Sequence, residues 1–244
     1  MKNRSKFLLV LEVFIFIFLL HFSHKTIAQC ASPIAVTGAA PYIQDFESNN
    51  GGWTTGGTLS DWTWGAPTKT TISGAGSGSK CWITGGLSAA STYNLNERSW
   101  VQSPCLNLSA IAHPYIKFLA FWETEQKFDG ASLQYSIDNG LNWNTVGSKA
   151  DATNCLNDNW FNYTPITYVA GAIINPGTTL RDGWSGTIQP SAGSCTSVGF
   201  GSGAWVTAQH CIPALANKAT VIFRFVFGAG SICNDFDGFA FDKF

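Results

Sequence analysis

The sequence predicts an all-β fold, a two-sheet antiparallel β-sandwich with a jelly-roll layout. Helical periodicity is nearly absent after residue 30, whereas short runs of alternating polar and apolar residues recur between loops rich in Gly, Ser, Thr and Asn. Charged residues make up only 12% of the chain, about half the usual share, while aromatic residues reach 14%. Because residues 41–244 show neither a repeat nor a second core, they predict one domain.

The first 28 residues have the pattern of a signal peptide. A basic start precedes the apolar run 7–20, and small residues follow at the expected cleavage site. That run is shorter than the roughly 20 residues of a membrane-spanning helix, which favours a cleaved signal over a retained anchor. A lipid anchor on Cys30 is disfavoured because Gln29 precedes it. We therefore expect a secreted or cell-surface protein with no integral membrane span after cleavage.

The charge of the predicted mature chain limits its partners. Removal of residues 1–28 leaves ten Lys and Arg and fourteen Asp and Glu, a net charge of −4. Nucleic acids and anionic membrane surfaces attract basic proteins, so neither is expected as the main partner.

The strand signals follow an N-terminal lead at 29–40 and flank a loop insert at 170–203. They lie at 41–47, 113–125, 131–137, 219–228 and 237–244. Both faces of 115–122 are largely apolar, which predicts a central strand. In 131–137 the alternation predicts a buried face with Leu133 and an exposed face with Gln134. The two C-terminal runs each place phenylalanines on one face.

Residues 136–143, Ser-Ile-Asp-Asn-Gly-Leu-Asn-Trp, predict a β-hairpin. Asn139 and Gly140 tolerate the positive φ that tight hairpin turns require. The spacing also matches the Asp-box, in which Asp138 would tie the turn and Trp143 would pack on the hairpin. Both roles are structural.

Seven cysteines in an exported chain indicate a disulfide framework, and they lack the paired spacing of zinc sites. The disulfide candidates are Cys81, Cys105, Cys155, Cys195, Cys211 and Cys233. Sequence does not fix the pairing. Sequential pairing, 81–105, 155–195 and 211–233, is our expectation, with Cys30 left over.

Several segments, in order, resemble the MAM-like jelly-roll modules of secreted bacterial cell-surface proteins, a MAM/concanavalin-like fold. The segments are DFES at 45–48, WTWGAP at 62–67, SWVQSPCLNLS at 99–109, DGASLQYSIDNGLNW at 129–143, VIFRFVFG at 221–228 and DGFAFD at 237–242. The resemblance implies a β-sandwich that mediates recognition or adhesion outside the cell.

Calcium is the best candidate for a cofactor, as a structural ion. In MAM-like and related jelly rolls the first and last strands lie close together and often hold Ca²⁺ between them. Calcium prefers six to eight oxygen ligands. The candidate ligands are Asp45, Glu47, Asp129, Asp235, Asp237 and Asp242. These residues are equally typical of turns that cap Gly-rich loops.

The chemistry of an enzyme is not predicted, and we expect no catalytic residue. The run Thr-Ala-Gln-His-Cys ending at Cys211 resembles a protease histidine segment, but His210 has no nucleophile loop downstream. Glu123 and Glu125 have a spacing that a glycosidase could use, although a strand returning to solvent explains them more simply. His113 and His210 are too few for a zinc hydrolase.

The predicted function is a non-catalytic recognition or adhesion module that binds an extracellular protein or glycan. The alternative is a carbohydrate-binding module that targets a hydrolase, and a stand-alone hydrolase ranks third. Trp160 and Trp184 lie among polar residues of loops and are the candidates for stacking on a sugar.

Overall fold

A computed structural model describes residues 30–154, 156–169, 181–190, 195 and 198–244. The predicted signal peptide, Cys155 and much of the insert 170–203 lie outside these residues. The described residues form a short 3₁₀-helix, Pro213–Leu215, and strands that we number β1 to β12. The strands are β1 (Ile34–Ala35), β2 (Thr54–Thr58), β3 (Thr63–Gly65), β4 (Cys81–Ile83), β5 (Arg98–Gln102), β6 (Leu106–Asn107), β7 (Tyr115–Glu123), β8 (Gly130–Ser136), β9 (Asn144–Thr145), β10 (Val206–Cys211), β11 (Ile222–Gly228) and β12 (Gly238–Asp242).

Two antiparallel five-stranded sheets pack face to face, which confirms the predicted β-sandwich. The first sheet has the order β10-β7-β12-β4-β3, and the second has the order β2-β5-β11-β8-β9. A short parallel pair of β1 and β6 lies outside both sheets. No helix among the described residues is both long and apolar enough to span a membrane.

Alternating phenylalanines build the core between the sheets. Phe225 of β11 stacks on Phe241 of β12 with ring centroids 4.1 Å apart, and Phe118 of β7 meets Phe225 edge to face. Aromatic pairs of this kind add about 0.5–1.5 kcal/mol each to the burial of their area. The predicted inward faces of both C-terminal strands are therefore confirmed.

Strand β7 is central in its sheet, as its two apolar faces predict. It pairs with β10 on one side and with β12 on the other. Its inner face contributes Phe118 and Trp122 to the main core. Its outer face contributes Phe121 to a second cluster, which Ile72 and Trp205 help to cover.

The expectation that the strand face with Gln134 is exposed is wrong. Ser132, Gln134 and Ser136 are all fully buried. The outer face of the second sheet is covered by Trp143 and by the segment 161–169, in which Ile166 packs on Val226 of β11. Segments far apart in sequence therefore bury a strand face whose own pattern is typical of exposure.

The Asp-box hairpin forms as predicted. Asp138 Oδ1 accepts hydrogen bonds from the Asn142 N–H at 2.9 Å and from Ser136 Oγ at 2.8 Å. Trp143 Nε1 donates to the Gly140 carbonyl at 3.0 Å, and Asn139 and Gly140 both have positive φ. Both predicted structural roles are confirmed.

The expected disulfide pairing is wrong. Cys30 bonds to Cys105, and Cys195 bonds to Cys233. Cys81 is a buried free thiol and Cys211 is a partly exposed one, so neither of these two disulfide candidates is bonded among the described residues. The lead brings Cys30 to its partner because β1 pairs with β6, which directly follows Cys105.

Candidate functional site

A cleft of about 730 Å³ opens beside the first half of β7, and we call it the lead cleft because the N-terminal lead forms one wall. Its floor is apolar and includes Leu106, Ile116, Phe118, Ile212, Phe223 and Phe244. The volume lies within the range of about 300–1,000 Å³ typical of ligand sites, which are usually apolar with a few polar groups at defined positions.

The lead cleft lies where one edge of β7 has no strand partner. Pairing between β12 and β7 ends at Asp242 and Leu119, whereas β10 continues along β7 to Tyr115. Lys243 has a φ of 54°, which lies outside the range of a regular strand and ends β12 at that point. Among the described residues, no strand pairs with 115–118 on that side, so backbone N–H and C=O groups there are available to an added strand.

The mouth of the cleft is basic. Lys117 and Lys243 line it and are both exposed. No Asp or Glu occurs among the described residues that line the cleft. In a chain with a net charge of −1, this local excess of cations favours a ligand that carries negative charge.

Covalent and hydrogen-bonded ties hold the wall of the cleft that the lead provides. The Cys30–Cys105 disulfide lies just before β1, and the Ile34 N–H donates to the Cys105 carbonyl at 2.8 Å. Just beyond the lead, where 41–43 continue the same wall, the Gln44 N–H donates to the Phe244 carbonyl at 2.8 Å. The wall is therefore fixed at both of its ends.

Of the three side chains considered for catalysis, two already have hydrogen-bond partners within the fold, and the third is buried. The Glu123 carboxylate is buried and accepts hydrogen bonds from Thr187 Oγ1 and from the Ile188 N–H. His210 occupies the inner face of β10 opposite Ile116, and its Nε2 lies 2.9 Å from Asp151 Oδ2. Glu125 is buried, and burial raises its pKa to about 7.

The six predicted calcium ligands fall into separate places. Glu47 and Asp242 hold the same loop: Glu47 Oε1 accepts from the Ser79 and Lys80 N–H groups at 3.0 Å each, and Asp242 Oδ2 accepts from the Ser77 N–H at 2.7 Å. Burial, with a smaller contribution from the charge of Glu47, raises the pKa of Asp242 to about 6.

The other four predicted ligands do not join that pair. Asp237 accepts from the Thr71 and Ile72 N–H groups, and Asp45 accepts from the Glu47 N–H in a local turn. Asp129 accepts from Tyr93 Oη and the Gly230 N–H, and Asp235 is exposed. Within the described residues, no three Asp, Glu, His or Cys side chains group together as metal ligands would.

The two tryptophans expected to contact sugar belong to the interior. Trp184 is fully buried and stacks on Phe239 with centroids 5.4 Å apart, so its predicted place on a surface groove is wrong. Trp160 is partly buried, packs against Trp184 and donates through Nε1 to the Val146 carbonyl at 2.8 Å.

Sequence reasoning missed the lead cleft altogether. Its walls come from the lead, from β7 and from the chain end after β12, which no local pattern connects. One signal was present: the exposed Tyr115 and Lys117 alternate with the buried Ile116 and Phe118 at the start of β7.

No protein-family model matches the sequence, and no curated protein sequence matches it. The solved structures that are similar in outline include two adhesin domains of Lys-gingipain from Porphyromonas gingivalis W83. The K1 cleaved adhesin domain is 14% identical, with 82% of this chain and 96% of that chain covered and a TM-score of 0.36. The K3 cleaved adhesin domain is 16% identical, with 83% of this chain and 95% of that chain covered and a TM-score of 0.41. The β-sandwich rests on the strand pairing described above and not on these likenesses.

Proposed function

We propose that this chain is a secreted, non-catalytic recognition module of the MAM-like type, which binds an extracellular protein through an extended segment held in the lead cleft. The observation that carries the proposal is the unpaired edge of β7 beside an apolar floor and a basic mouth. Two disulfides among the described residues fit the oxidising environment outside the cell.

An extended peptide fits the cleft through three kinds of contact. Its backbone can add as a strand along 115–118, as in β-augmentation. An apolar side chain can contact the floor near Phe118 and Phe244. Carboxylates that flank this anchor can approach Lys117 and Lys243. We therefore expect partners with acidic and apolar residues in alternation.

A glycan partner has less support. Sugar sites rely on exposed aromatic faces, and the burial of Trp184 removes the main candidate for such a face. The carbohydrate-binding alternative consequently becomes an outcome of the test below.

Calcium remains a proposal for a structural ion at the loop held by Glu47 and Asp242. The carboxylates of Glu47, before β2, and of Asp242, at the end of β12, would supply part of the oxygen shell, and carbonyls or water would supply the rest. A cation there would relieve the repulsion between the two carboxylates.

The experiment is selection of a displayed random-peptide library on the immobilised protein, with a glycan array in parallel. The proposal predicts enrichment of peptides in which apolar residues alternate with Asp or Glu. The double variant Lys117→Glu and Lys243→Glu should bind the selected peptides at least tenfold more weakly, because two attractions become repulsions.

The matched control is Lys149→Glu, which reverses an exposed charge that does not line the cleft. It should bind the selected peptides like the unmodified protein. Three outcomes would contradict the proposal. They are an equal loss of peptide affinity in the control and the cleft variant, the selection of peptides without acidic residues, and binding of glycans alone.

A further inference from the structure

The guanidinium of Arg224 is buried in the second sheet, and the part of the chain that the structure describes offers it no carboxylate partner. Arg224 is only 2% exposed, and its Nε donates to Gln134 Oε1 at 2.8 Å. Its Nη2 has no hydrogen-bond partner among the described residues. Burial lowers its pKa to about 9, and no acidic group of the described residues offsets this effect. A buried charge normally has a counter-charge, so a negative charge is missing beside this guanidinium.

Unsatisfied polar groups surround this guanidinium on the same face of the sheet. Arg224 lies opposite Gln134 of β8, which in turn lies opposite Thr145 of β9. Directly opposite residues of neighbouring strands have Cβ atoms about 5 Å apart. Gln134 Nε2, Thr145 Oγ1 and Ser132 Oγ are buried and lack hydrogen-bond partners within the described part of the chain.

These groups share one chemical property, because each can donate a hydrogen bond. An amide nitrogen and a guanidinium nitrogen can only donate, and the hydroxyls can donate as well as accept. A cation would be repelled by such a set. Water could satisfy the hydrogen bonds, but it would leave the positive charge of Arg224 uncompensated.

The Asp-box hairpin closes the site from outside. Trp143 lies over the guanidinium, with Cζ 3.9 Å from the ring centroid, and the ring is held by its Nε1 bond to Gly140. A cation–π contact of this kind contributes about 0.5–2 kcal/mol but brings no negative charge. The ring therefore covers Arg224 and shields what lies beside it from bulk water.

We propose that the outer face of the second sheet holds a small monovalent anion beside Arg224, bound by Nη2 of Arg224, Nε2 of Gln134 and the hydroxyls of Ser132 and Thr145. Chloride is the probe of this chemistry. The negative charge of the anion balances the positive charge of the guanidinium. Its hydrogen bonds link β11, β8 and β9 beneath Trp143. The site is separate from the lead cleft, so it stands whether or not the proposed function does.

The test is the melting temperature in chloride against gluconate at constant ionic strength, since gluconate is too large for a buried site. Binding to the folded state alone raises stability with ligand concentration. The melting temperature should therefore rise with the logarithm of the chloride concentration. A bromide-soaked crystal should show an anomalous peak within hydrogen-bonding distance of Arg224 Nη2.

Gln134→Glu is the sharpest variant, because it supplies a carboxylate within the chain. The glutamate can accept from both Nε and Nη2 of Arg224 in a bidentate pair, so this variant should fold stably and lose the chloride dependence. Arg224→Met should lose it as well, and the exposed-site control Lys149→Met should keep it. If Arg224→Met does not fold, the chloride dependence of the melting temperature of Gln134→Glu alone tests the proposal.

Three results would overturn the proposal. They are an unmodified protein whose melting temperature is the same in chloride and gluconate, a Gln134→Glu variant that keeps the full chloride dependence, and the absence of a bromide peak beside Arg224.

Discussion

Removal of the Cys30–Cys105 disulfide should lower the free energy of unfolding by several kcal/mol. The bond spans 75 residues of sequence. Loop-closure entropy for a ring of that size predicts a loss of about 4.5 kcal/mol at 25 °C. That is a large part of the roughly 5–15 kcal/mol that stabilises an ordinary domain.

The perturbation is the double variant Cys30→Ala and Cys105→Ala, which leaves no unpaired thiol from this bond. Its matched control is Cys81→Ala and Cys211→Ala, which removes the two free thiols. The control should lose only about 1 kcal/mol, because it breaks no cross-link.

Urea unfolding measures both effects as shifts of the urea concentration at the midpoint, provided that the m-values of the variants are comparable. Peptide mapping under non-reducing conditions identifies the bonded pair independently. If Cys105 were bonded to Cys81 instead, the control pair would show the large loss and the mapped peptide would contain Cys81. A midpoint for the Cys30 and Cys105 variant equal to that of the unmodified protein would also refute the reasoning.

Three further predictions concern the core, the buried acids and calcium. Trp184→Ala should lower the free energy of unfolding by about 3–5 kcal/mol in urea titration, because a fully buried indole leaves a cavity; an unchanged midpoint would place Trp184 on the surface after all. Burial, and then the charge of Asp61, raises the pKa of Glu97 to about 9 from 4.5, so the folded protein holds a proton that the unfolded chain releases. The stability that this proton provides is present at low pH and is lost as the pH rises through that interval. Glu97→Gln should therefore flatten the decline of the melting temperature between about pH 5 and pH 8, and an unaltered pH profile would show that Glu97 does not hold the proton. Excess Ca²⁺ should raise the melting temperature relative to chelator, and Glu47→Gln should remove that shift; equal values in Ca²⁺ and chelator would end the calcium proposal.

Local patterns predicted those features that local chemistry determines. The alternation of phenylalanine in β11 and β12 requires one face to be buried, whatever covers it. The turn at Asn139 and Gly140 needs only residues that tolerate positive φ. The two apolar faces of β7 predicted an interior strand, and β7 does lie between β10 and β12.

Features that depend on distant segments could not be predicted in this way. The bond from Cys30 to Cys105 follows from the pairing of β1 with β6, and no spacing rule indicates that pairing. Gln134 belongs to a strand face with the pattern of exposure, yet Trp143 and the segment 161–169 cover that face.

The lead cleft likewise depends on segments that are far apart in the sequence. The lead cleft exists because β12 ends at Asp242 while β7 extends beyond it, and because the lead closes the remaining side. Its residues carry no shared motif. Conversely, Trp184 lies in a polar stretch of sequence but is fully buried in the core.

Hydrogen exchange at the amides of 115–118 tests the central claim most directly. A library-selected peptide that adds as a strand to β7 should slow the exchange of amides that face the unpaired edge, and it should leave the amides of β9 unchanged. Tight binding with no added protection at 115–118, or with protection elsewhere only, would contradict recognition through the lead cleft.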